Sequence, residues 1–122
     1  MNATIMVTDR IRIVSANCRG LAEKNKRQEI MKIWKKKNYS IICLQDIHIS
    51  ENEKDTMTNE WGLNCIIASF KSNSRGVAIL FNNNVEIKVH KSLIDKNGNF
   101  IITDMTLDGM KLTLTNLARK GV

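Results

Sequence analysis

The sequence contains no proline and few aromatic residues, at 5% of 122 positions. Average usage of ~5% would give a chain of this length about six prolines. The absence excludes proline-rich linkers and collagen-like repeats. The hydrophobic fraction of 43% and the charged fraction of 25% are close to those of globular proteins, which argues against disorder. We therefore expect a folded chain with the length of a single domain.

Long apolar runs are also missing. No stretch approaches the ~20 apolar residues that cross a membrane, and residues 1–9 lack the apolar core of a signal peptide. The three cysteines, Cys18, Cys43 and Cys65, are odd in number, widely spaced and set among apolar residues, which is typical of buried thiols in a reducing compartment. We expect a chain without a membrane partner, located inside the cell, nuclear or cytoplasmic and not secreted.

Acidic residues are scarce, with 12 Asp and Glu against 19 Lys and Arg, so the net charge is +7. Most of this excess lies in residues 19–37, and residues 45–60 are acidic instead. Basic surfaces attract polyanions such as nucleic acids. Lysine-rich helix exteriors that bind nothing are common, however, and charge alone favours that simpler interpretation.

The apolar pattern changes period along the chain. Residues 10–16 alternate between polar and apolar side chains, like a strand that enters a core. Residues 25–37 have apolar side chains at helical spacing, namely Ile30, Ile33 and Trp34, with Met31 beside them. Residues 39–45 form a short apolar run, which is typical of a strand buried on both faces. Strand, helix and buried strand predict a βαβ unit with a right-handed crossover.

The remainder predicts one short helix and several strands. Ser50 and Glu53 have the spacing of a capping box, so an acidic helix is expected before Trp61. Strands are expected at residues 65–68, 77–81, 85–90, 100–107 and 110–117, with turns at 82–84, 96–99 and 108–109. The prediction is a mixed sheet with one clear crossover helix.

Polar side chains follow the two strands of the βαβ unit. Asn17 and Asp46 each lie just past a strand end, where open α/β sheets bind their ligands. If extended geometry persists beyond Gln45, His48 faces the same side as Asp46. A carboxylate, an imidazole and an amide at one place could hold a hard cation such as Mg²⁺. From spacing alone, a turn cap at Asp46 and a surface position for His48 are the simpler interpretation.

Six short stretches, in a fixed order along the chain, give a more specific signal than the pattern of apolar residues. They read IVSANCRGL (13–21), KRQEI (26–30), NYSIICLQDIH (38–48), SRGVAIL (74–80), DKNGNFI (95–101) and LTLTNL (112–117). This series resembles the endonuclease/exonuclease/phosphatase family, most nearly the apurinic-type endonuclease domain of LINE-type, non-LTR retrotransposons. The resemblance implies an α/β (α+β) sandwich of two sheets, of which this chain would be the N-terminal half. It divides the chain into an extension at 1–9, a partial domain at 10–117 and a divergent end at 118–122.

The resemblance implies a Mg²⁺-dependent phosphodiesterase that nicks DNA. Asn17 would orient the phosphate and the catalytic water, and Asp46 would bind Mg²⁺ where the family usually has glutamate. His48 matches a histidine of the retrotransposon members. Four basic residues would lie near the DNA backbone: Arg19, Lys24, Lys26 and Arg27.

Two departures from the family lead us to expect a truncated enzyme that is inactive or weakly active. Aspartate at position 46 is one methylene shorter than glutamate, and positioned chemistry tolerates such a displacement poorly. After Leu117 the family continues with a catalytic tyrosine and Ala-Pro-Asn, whereas this sequence reads ARKGV (118–122). Two alternatives stay open: a non-catalytic nucleic-acid-binding remnant that uses the basic loop and helix, and action on another phosphate ester. An exposed sheet face would also favour self-association.

Overall fold

A computed structural model describes residues 2–7, 10–70 and 74–118, the first of these ranges by its backbone alone. Within these ranges the chain forms eight strands and two α-helices, with a short 3₁₀ turn at Glu51–Glu53. In chain order they are β1 (Asn2–Val7), β2 (Arg12–Asn17), α1 (Lys24–Lys36), β3 (Ile41–Gln45), α2 (Lys54–Trp61), β4 (Cys65–Ala68), β5 (Val77–Phe81), β6 (Ile87–Ile94), β7 (Phe100–Leu107) and β8 (Met110–Leu117).

The strands form two sheets. The larger one has five strands in the order β1-β2-β3-β5-β4, and the smaller one has three in the order β6-β7-β8. β2 and β3, which precede and follow α1 along the chain, pair in parallel and confirm the predicted βαβ unit. All other strand pairs are antiparallel. The predicted two-sheet sandwich is therefore confirmed. The apolar pattern alone had predicted one mixed sheet, but residues 87–117 form a second, antiparallel sheet.

Residues 2–7 belong to the larger sheet as its edge strand. Residues 2–7, assigned by the sequence to an N-terminal extension of 1–9, form β1 and pair antiparallel with β2 from Asn2↔Asn17 to Val7↔Arg12. The physical reason is that β2 needs a partner on the side away from β3, and a nearby segment supplies it through backbone hydrogen bonds. Residues 8 and 9 lie outside the described residues.

Two apolar layers hold the sandwich together. One lies between the five-stranded sheet and the helices and contains side chains such as Val14, Leu44 and Trp61. The other lies between the two sheets and contains Ile41, Ile79, Ile101 and similar side chains. Alternate residues of β3 and β5 enter opposite layers, so both strands are buried on both faces.

Helix α1 buries most of the predicted stripe, since Met31 and Trp34 are buried and Ile30 packs against the core, but Arg27 joins it and Ile33 does not. Arg27, Met31 and Trp34 are the buried residues, at the spacing i, i+4 and i+7 of one helix face. Ile33, predicted to face the core, is 53% exposed, because two helical steps carry it about 200° around the axis from Met31. Helix α1 begins after Glu23, whose carboxylate accepts the N–H groups of Asn25 and Lys26.

The three cysteines are free thiols that differ in burial. Cys18 and Cys43 are buried free thiols, and burial raises the pKa of each to about 12. Cys65 is also free but only half-buried. Neither helix in the described part of the chain is long and apolar enough to cross a membrane.

Candidate functional site

The carboxyl ends of β2 and β3 lie side by side because these strands are parallel. Asn17 pairs with Gln45 at the last position of the register. Beyond it, the loop after β2 stays attached to the chain after β3, since the N–H of Gly20 donates to the carbonyl of Asp46 at 2.8 Å and that of Leu21 to Ile47 at 2.7 Å. The structure therefore places Asn17 and Asp46 at one edge of the sheet, hereafter the β2/β3 edge.

Asp46 and His48 form a pair at this edge. The Nε2 of His48 lies 2.5 Å from Oδ1 of Asp46, and the two side chains are 32% and 39% exposed respectively. Extended geometry does not persist beyond Gln45, because both residues have left-handed backbone, with φ of 55° and 56°. The side chains meet through this bent backbone and not through the period of a strand. Non-glycine residues in this conformation cost about 1–2 kcal/mol each and cluster at functional sites.

The backbone of the pair is fixed by the segment before β5. The N–H of Ile47 donates to the carbonyl of Gly76 at 3.2 Å, and that of His48 to the carbonyl of Arg75 at 2.9 Å. The imidazole of His48 rests on Gly20, where an added Cβ would lie 3.0 Å from Nδ1. Glycine at position 20 therefore leaves room for the imidazole beside the carboxylate.

A turn of the smaller sheet also reaches this edge. Gly98, in the turn between β6 and β7, accepts a hydrogen bond from the N–H of Gly76 at 3.2 Å. A Cβ on Gly98 would lie 3.2 Å from the Cα of Gly76, and Gly98 has a φ of 73°. The stretches 74–80 and 95–101, which carried part of the sequence resemblance, thus come together behind Asp46 and His48.

Asn17 presents a donor at this edge. Its Oδ1 accepts the N–H of Arg19 at 3.2 Å, which fixes the turn that follows β2. With the carbonyl oxygen used in this way, the side-chain NH₂ is the group that can meet an anion. This arrangement suits contact with a phosphate oxygen better than coordination of a metal ion.

A buried hydrogen-bond network beneath the edge was missed by the sequence analysis. Asn116 on β8 is 2% exposed, and its NH₂ donates to the carbonyls of Leu44 at 3.1 Å and Ala78 at 2.8 Å. Its Oδ1 accepts Nε2 of Gln45 at 2.8 Å, which also donates to Ser15. The signal was present, because Asn116 follows Leu112 and Leu114 at the inward positions of β8. An amide in an apolar register predicts a buried, hydrogen-bonded side chain.

Arg27 requires a correction, because it is buried and not available to DNA. Its guanidinium donates to both carboxylate oxygens of Glu60 on α2, at 2.5 and 3.0 Å, and to the carbonyls of Leu21 and Ala22. These hydrogen bonds lower the pKa of Glu60 below its ordinary value. An arginine placed on the inner stripe of α1 needs such a partner, and the acidic α2 supplies it.

The other predicted basic residues lie at or near the β2/β3 edge. Nζ of Lys26 donates to the carbonyls of Gly20 at 2.8 Å and Cys18 at 3.3 Å, so Lys26 braces the loop after β2. Arg19 and Lys24 are exposed. By contrast, Lys35 to Lys37 stand at the far end of α1, about 18 Å from Lys24 at 1.5 Å per residue. The basic stretch is therefore divided between opposite edges of the sheet.

Solved structures show the same architecture. AP endonuclease LMAP from Leishmania major superposes on 88% of this chain with a TM-score of 0.65 and 13% sequence identity. The chain shares its fold with that AP endonuclease. A functionally unknown conserved protein from Enterococcus faecalis V583 superposes on 84% of this chain with a TM-score of 0.58 and 9% identity. The chain spans 39% of the first protein and 50% of the second. No protein-family model matches the sequence.

The described residues bring one carboxylate, that of Asp46, to the β2/β3 edge. Within residues 2–7, 10–70 and 74–118, no three His, Cys, Asp or Glu side chains converge as metal ligands. Protein zinc sites take three or four such ligands. Mg²⁺ needs only one or two carboxylates, with waters and substrate phosphate oxygens completing its octahedron. At this edge Asp46 has one carboxylate oxygen, Oδ2, that does not contact His48.

Proposed function

We propose that this chain supplies the metal- and phosphate-binding edge of a Mg²⁺-dependent phosphodiesterase that nicks DNA, of the LINE-type retrotransposon lineage. The observation that supports this is the position of Asn17 and of the hydrogen-bonded pair Asp46 and His48 at the carboxyl ends of two neighbouring parallel strands, in a fold shared with an AP endonuclease. The stretch IVSANCRGL (13–21) favours the retrotransposon branch over members that act on other phosphate esters.

Each residue has a separate task in this proposal. Bound at Asp46, Mg²⁺ would neutralise charge on the scissile phosphate and lower the pKa of a water. Asn17 donates its NH₂ to a phosphate oxygen and thereby orients the phosphate. His48 holds the carboxylate of Asp46 through their hydrogen bond, and Arg19 and Lys24 attract the DNA backbone.

The chain alone is proposed to nick DNA far more slowly than a complete enzyme of this type. Members of a catalytic unit act together, so partial sets lose most of the rate enhancement. In the described part of the chain the only close imidazole–carboxylate pair is His48 with Asp46, which the proposal assigns to metal binding. The short aspartate side chain at position 46 adds a displacement of about 1.5 Å, one bond length, relative to glutamate.

A metal titration tests the site without relying on turnover. Mn²⁺ serves as a paramagnetic probe for Mg²⁺, and its binding broadens the NMR signals of amides near Asp46 and Asn17. Asp46→Asn should abolish this localised broadening, whereas Asp55→Asn, which alters an exposed carboxylate on α2, should leave it intact. Broadening that is unchanged in Asp46→Asn would refute the metal site.

Nicking of supercoiled plasmid tests the activity. We expect slow Mg²⁺-dependent nicking that is lost in Asp46→Ala and in Asn17→Ala. Turnover comparable with that of a complete endonuclease would refute the proposed weak activity. Nicking that persists in both variants would assign the activity to another site or to a contaminating nuclease.

Nucleic-acid binding without cleavage is the second candidate, favoured by the exposed Arg19 and Lys24 beside the edge. Affinity for a DNA duplex should fall steeply with salt, because each phosphate contact releases counterions. Reversing both charges (Arg19→Glu with Lys24→Glu) should weaken binding and flatten the salt slope. Reversing Lys35 and Lys36 at the far end of α1 is the matched control. Binding with no nicking under any metal condition selects this second candidate.

A further inference from the structure

Arg75 lies directly beside the pair of Asp46 and His48, although the sequence analysis gave it no role. Its carbonyl accepts the N–H of His48 at 2.9 Å, and the carbonyl of the next residue, Gly76, accepts that of Ile47 at 3.2 Å. Arg75 has left-handed backbone, with φ of 61°, a conformation that is unfavourable for a residue with a side chain. Such backbone persists where the surrounding structure requires it. The hydrogen bonds therefore fix an arginine at the site.

The guanidinium of Arg75 has a ring for a neighbour and no acceptor. The side chain is exposed, and Cζ lies 4.7 Å from the centroid of the Phe70 ring. In the ranges that the structure describes, no carboxylate pairs with it and no carbonyl accepts its N–H groups. By contrast, Arg10, Arg12 and Arg27 each contact a carboxylate or a backbone carbonyl. The charge and the five N–H donors of Arg75 are therefore available to a ligand.

Phe70 is anchored through the residue before it. Ser69 is 6% exposed, and its hydroxyl donates to a carboxylate oxygen of Glu51 at 2.5 Å. This hydrogen bond ties the end of β4 to the chain that follows β3. Phe70 itself is half-buried. An anchored ring under the guanidinium restricts the movement of a long side chain that would otherwise be free in solvent.

The order of the strands places these groups in a row. Across the β2/β3 edge the larger sheet presents the end of β2 with Asn17, the end of β3 with Asp46, the start of β5 with Arg75 and the end of β4 with Phe70. β2 and β5 are two strand spacings apart, or about 10 Å at ~4.8 Å each. One strand of DNA carries a phosphate for every ~3.4 Å of helix axis. The row is therefore long enough for a phosphate at Asp46 and one on either side of it.

We propose that Arg75 binds the DNA phosphate next to the scissile one, so that the cleaved strand crosses the edge from β2 toward β4. The planar guanidinium donates two hydrogen bonds to one phosphate, a geometry that lysine does not reproduce. Arg19 follows β2 and Arg75 precedes β5, so the phosphate at Asp46 lies between two arginines. Phe70 is a positioning residue that holds the guanidinium by their cation–π contact. The inference rests on the proposed function for the presence of DNA at this edge.

The salt dependence of DNA binding tests the contact without metal. Affinity for a short DNA duplex is measured by fluorescence anisotropy in EDTA at several salt concentrations. Arg75→Gln should weaken binding by about tenfold at low salt and reduce the slope of log Kd against log salt by about 0.9, the value for one phosphate contact. Arg75→Lys should keep the slope and lose part of the affinity. Arg10→Gln removes an exposed arginine that pairs with Asp108, and it should change neither quantity.

A double-mutant cycle tests the positioning role of Phe70. Phe70→Leu should weaken binding by about threefold in the native chain and leave the salt slope unchanged, because the charge is retained. In the Arg75→Gln background the same change should have no effect, since the ring acts through the guanidinium. Equal effects of Phe70→Leu in the two backgrounds would refute this role.

NMR on the unmodified protein gives a second measurement that requires no variant to fold. DNA should shift the side-chain Nε–H signal of Arg75 and leave that of Arg10 in place. A stationary Arg75 signal, or a native salt slope in folded Arg75→Gln, would overturn the inference. If Asp46→Asn then still abolishes Mn²⁺ binding, the proposed function stands and only the path of the strand is wrong. If Arg75 contacts phosphate but no metal binds at Asp46, the contact is supported and the metal-dependent function fails.

Discussion

A pair of charged side chains, Arg27 and Glu60, joins the two helices. The side chain of Arg27 is 6% exposed and that of Glu60 is 13% exposed, so water cannot replace either partner easily. All the contacts of the guanidinium are directed to Glu60 and to two backbone carbonyls. The guanidinium of Arg27 therefore stabilises the packing of the two helices and is not exposed for a contact with DNA.

Arg27→Met should lower the free energy of unfolding by about 3 kcal/mol or more, because it leaves the carboxylate of Glu60 unpaired in a largely buried position. Urea denaturation followed by tryptophan fluorescence measures the effect. Lys24→Met, an exposed change at the start of the same helix, is the control and should stay within about 0.5 kcal/mol. A variant at position 27 that loses DNA affinity at unchanged stability would restore its predicted role in binding.

The same pair makes stability depend on pH. Hydrogen bonds from Arg27 lower the pKa of Glu60 in the folded state below the value of 4.5 expected for an unpaired glutamate. The stabilisation is therefore complete above that value and is lost as the pH falls through the lower, folded pKa. The difference in unfolding free energy between the native chain and Glu60→Gln should shrink below about pH 4.5. A difference that stays constant from pH 7 to pH 3 in urea titrations would contradict this.

The turn between β6 and β7 depends on the close contact of Gly98 with Gly76, whereas Gly109 in the turn between β7 and β8 has no such contact. Gly98 and Gly109 both have left-handed backbone, with φ of 73° and 84°, but only Gly98 has neighbours within 4 Å of an added Cβ. Gly109→Ala should cost about 1–2 kcal/mol, the ordinary cost of a left-handed residue. Gly98→Ala should cost about 1–3 kcal/mol more, because the methyl group meets the backbone of Gly76. Equal losses for the two variants in urea denaturation would show that the turn can move away from the edge.

Strand β8 is held to the larger sheet by Asn116. Asn116→Leu keeps the size of the side chain but leaves Nε2 of Gln45 and the carbonyls of Leu44 and Ala78 without this partner. We expect a loss of about 1–3 kcal/mol in unfolding free energy, the cost of burying an unpaired polar group. Thr115→Val, on the exposed face of the same strand, is the control. A loss no larger than that of the control would mean that the amide is dispensable.

These elements show which parts of the fold the sequence predicts and why. β4, β5, β7 and β8 were predicted with the observed bounds, because turn residues separate short apolar or alternating runs. β1 was missed, since its strand character comes from pairing with β2 and not from a local pattern. β6 runs from Ile87 to Ile94 instead of from residue 85 to residue 90, and it is mostly exposed along its length.

The candidate site was only partly predictable. The ends of two parallel strands brought Asn17 and Asp46 to one edge, as their positions in the sequence indicated. The contact of Asp46 with His48 depends on left-handed backbone at both residues, which the alternation of polar and apolar side chains does not predict. The partner of Arg27 is 33 residues away on another helix, so the burial of that arginine could not be read from local sequence. The assigned roles of Asn17, Asp46 and His48 stay predictions.

The two apolar layers share β3 and β5, so we expect the whole described fold to unfold as one unit. Trp34 and Trp61 report on the layer beneath the helices, and Trp61 donates its indole N–H to the carbonyl of Phe81 at 3.0 Å. Fluorescence from these residues and circular dichroism from the sheets should give one coincident urea transition. Separate midpoints would show that the smaller sheet unfolds independently.

The bond between Asn116 and Leu44 joins residues 72 positions apart, which has a consequence for the order of events during synthesis. All strands of the larger sheet have been translated by Phe81, whereas β8 requires the 36 residues from Asn82 to Leu117. At ribosomal rates of 5–20 residues per second, the inner face of the larger sheet stays uncovered for about two to seven seconds before β8 has been synthesised. During this interval the nascent chain presents apolar strands that a chaperone can bind.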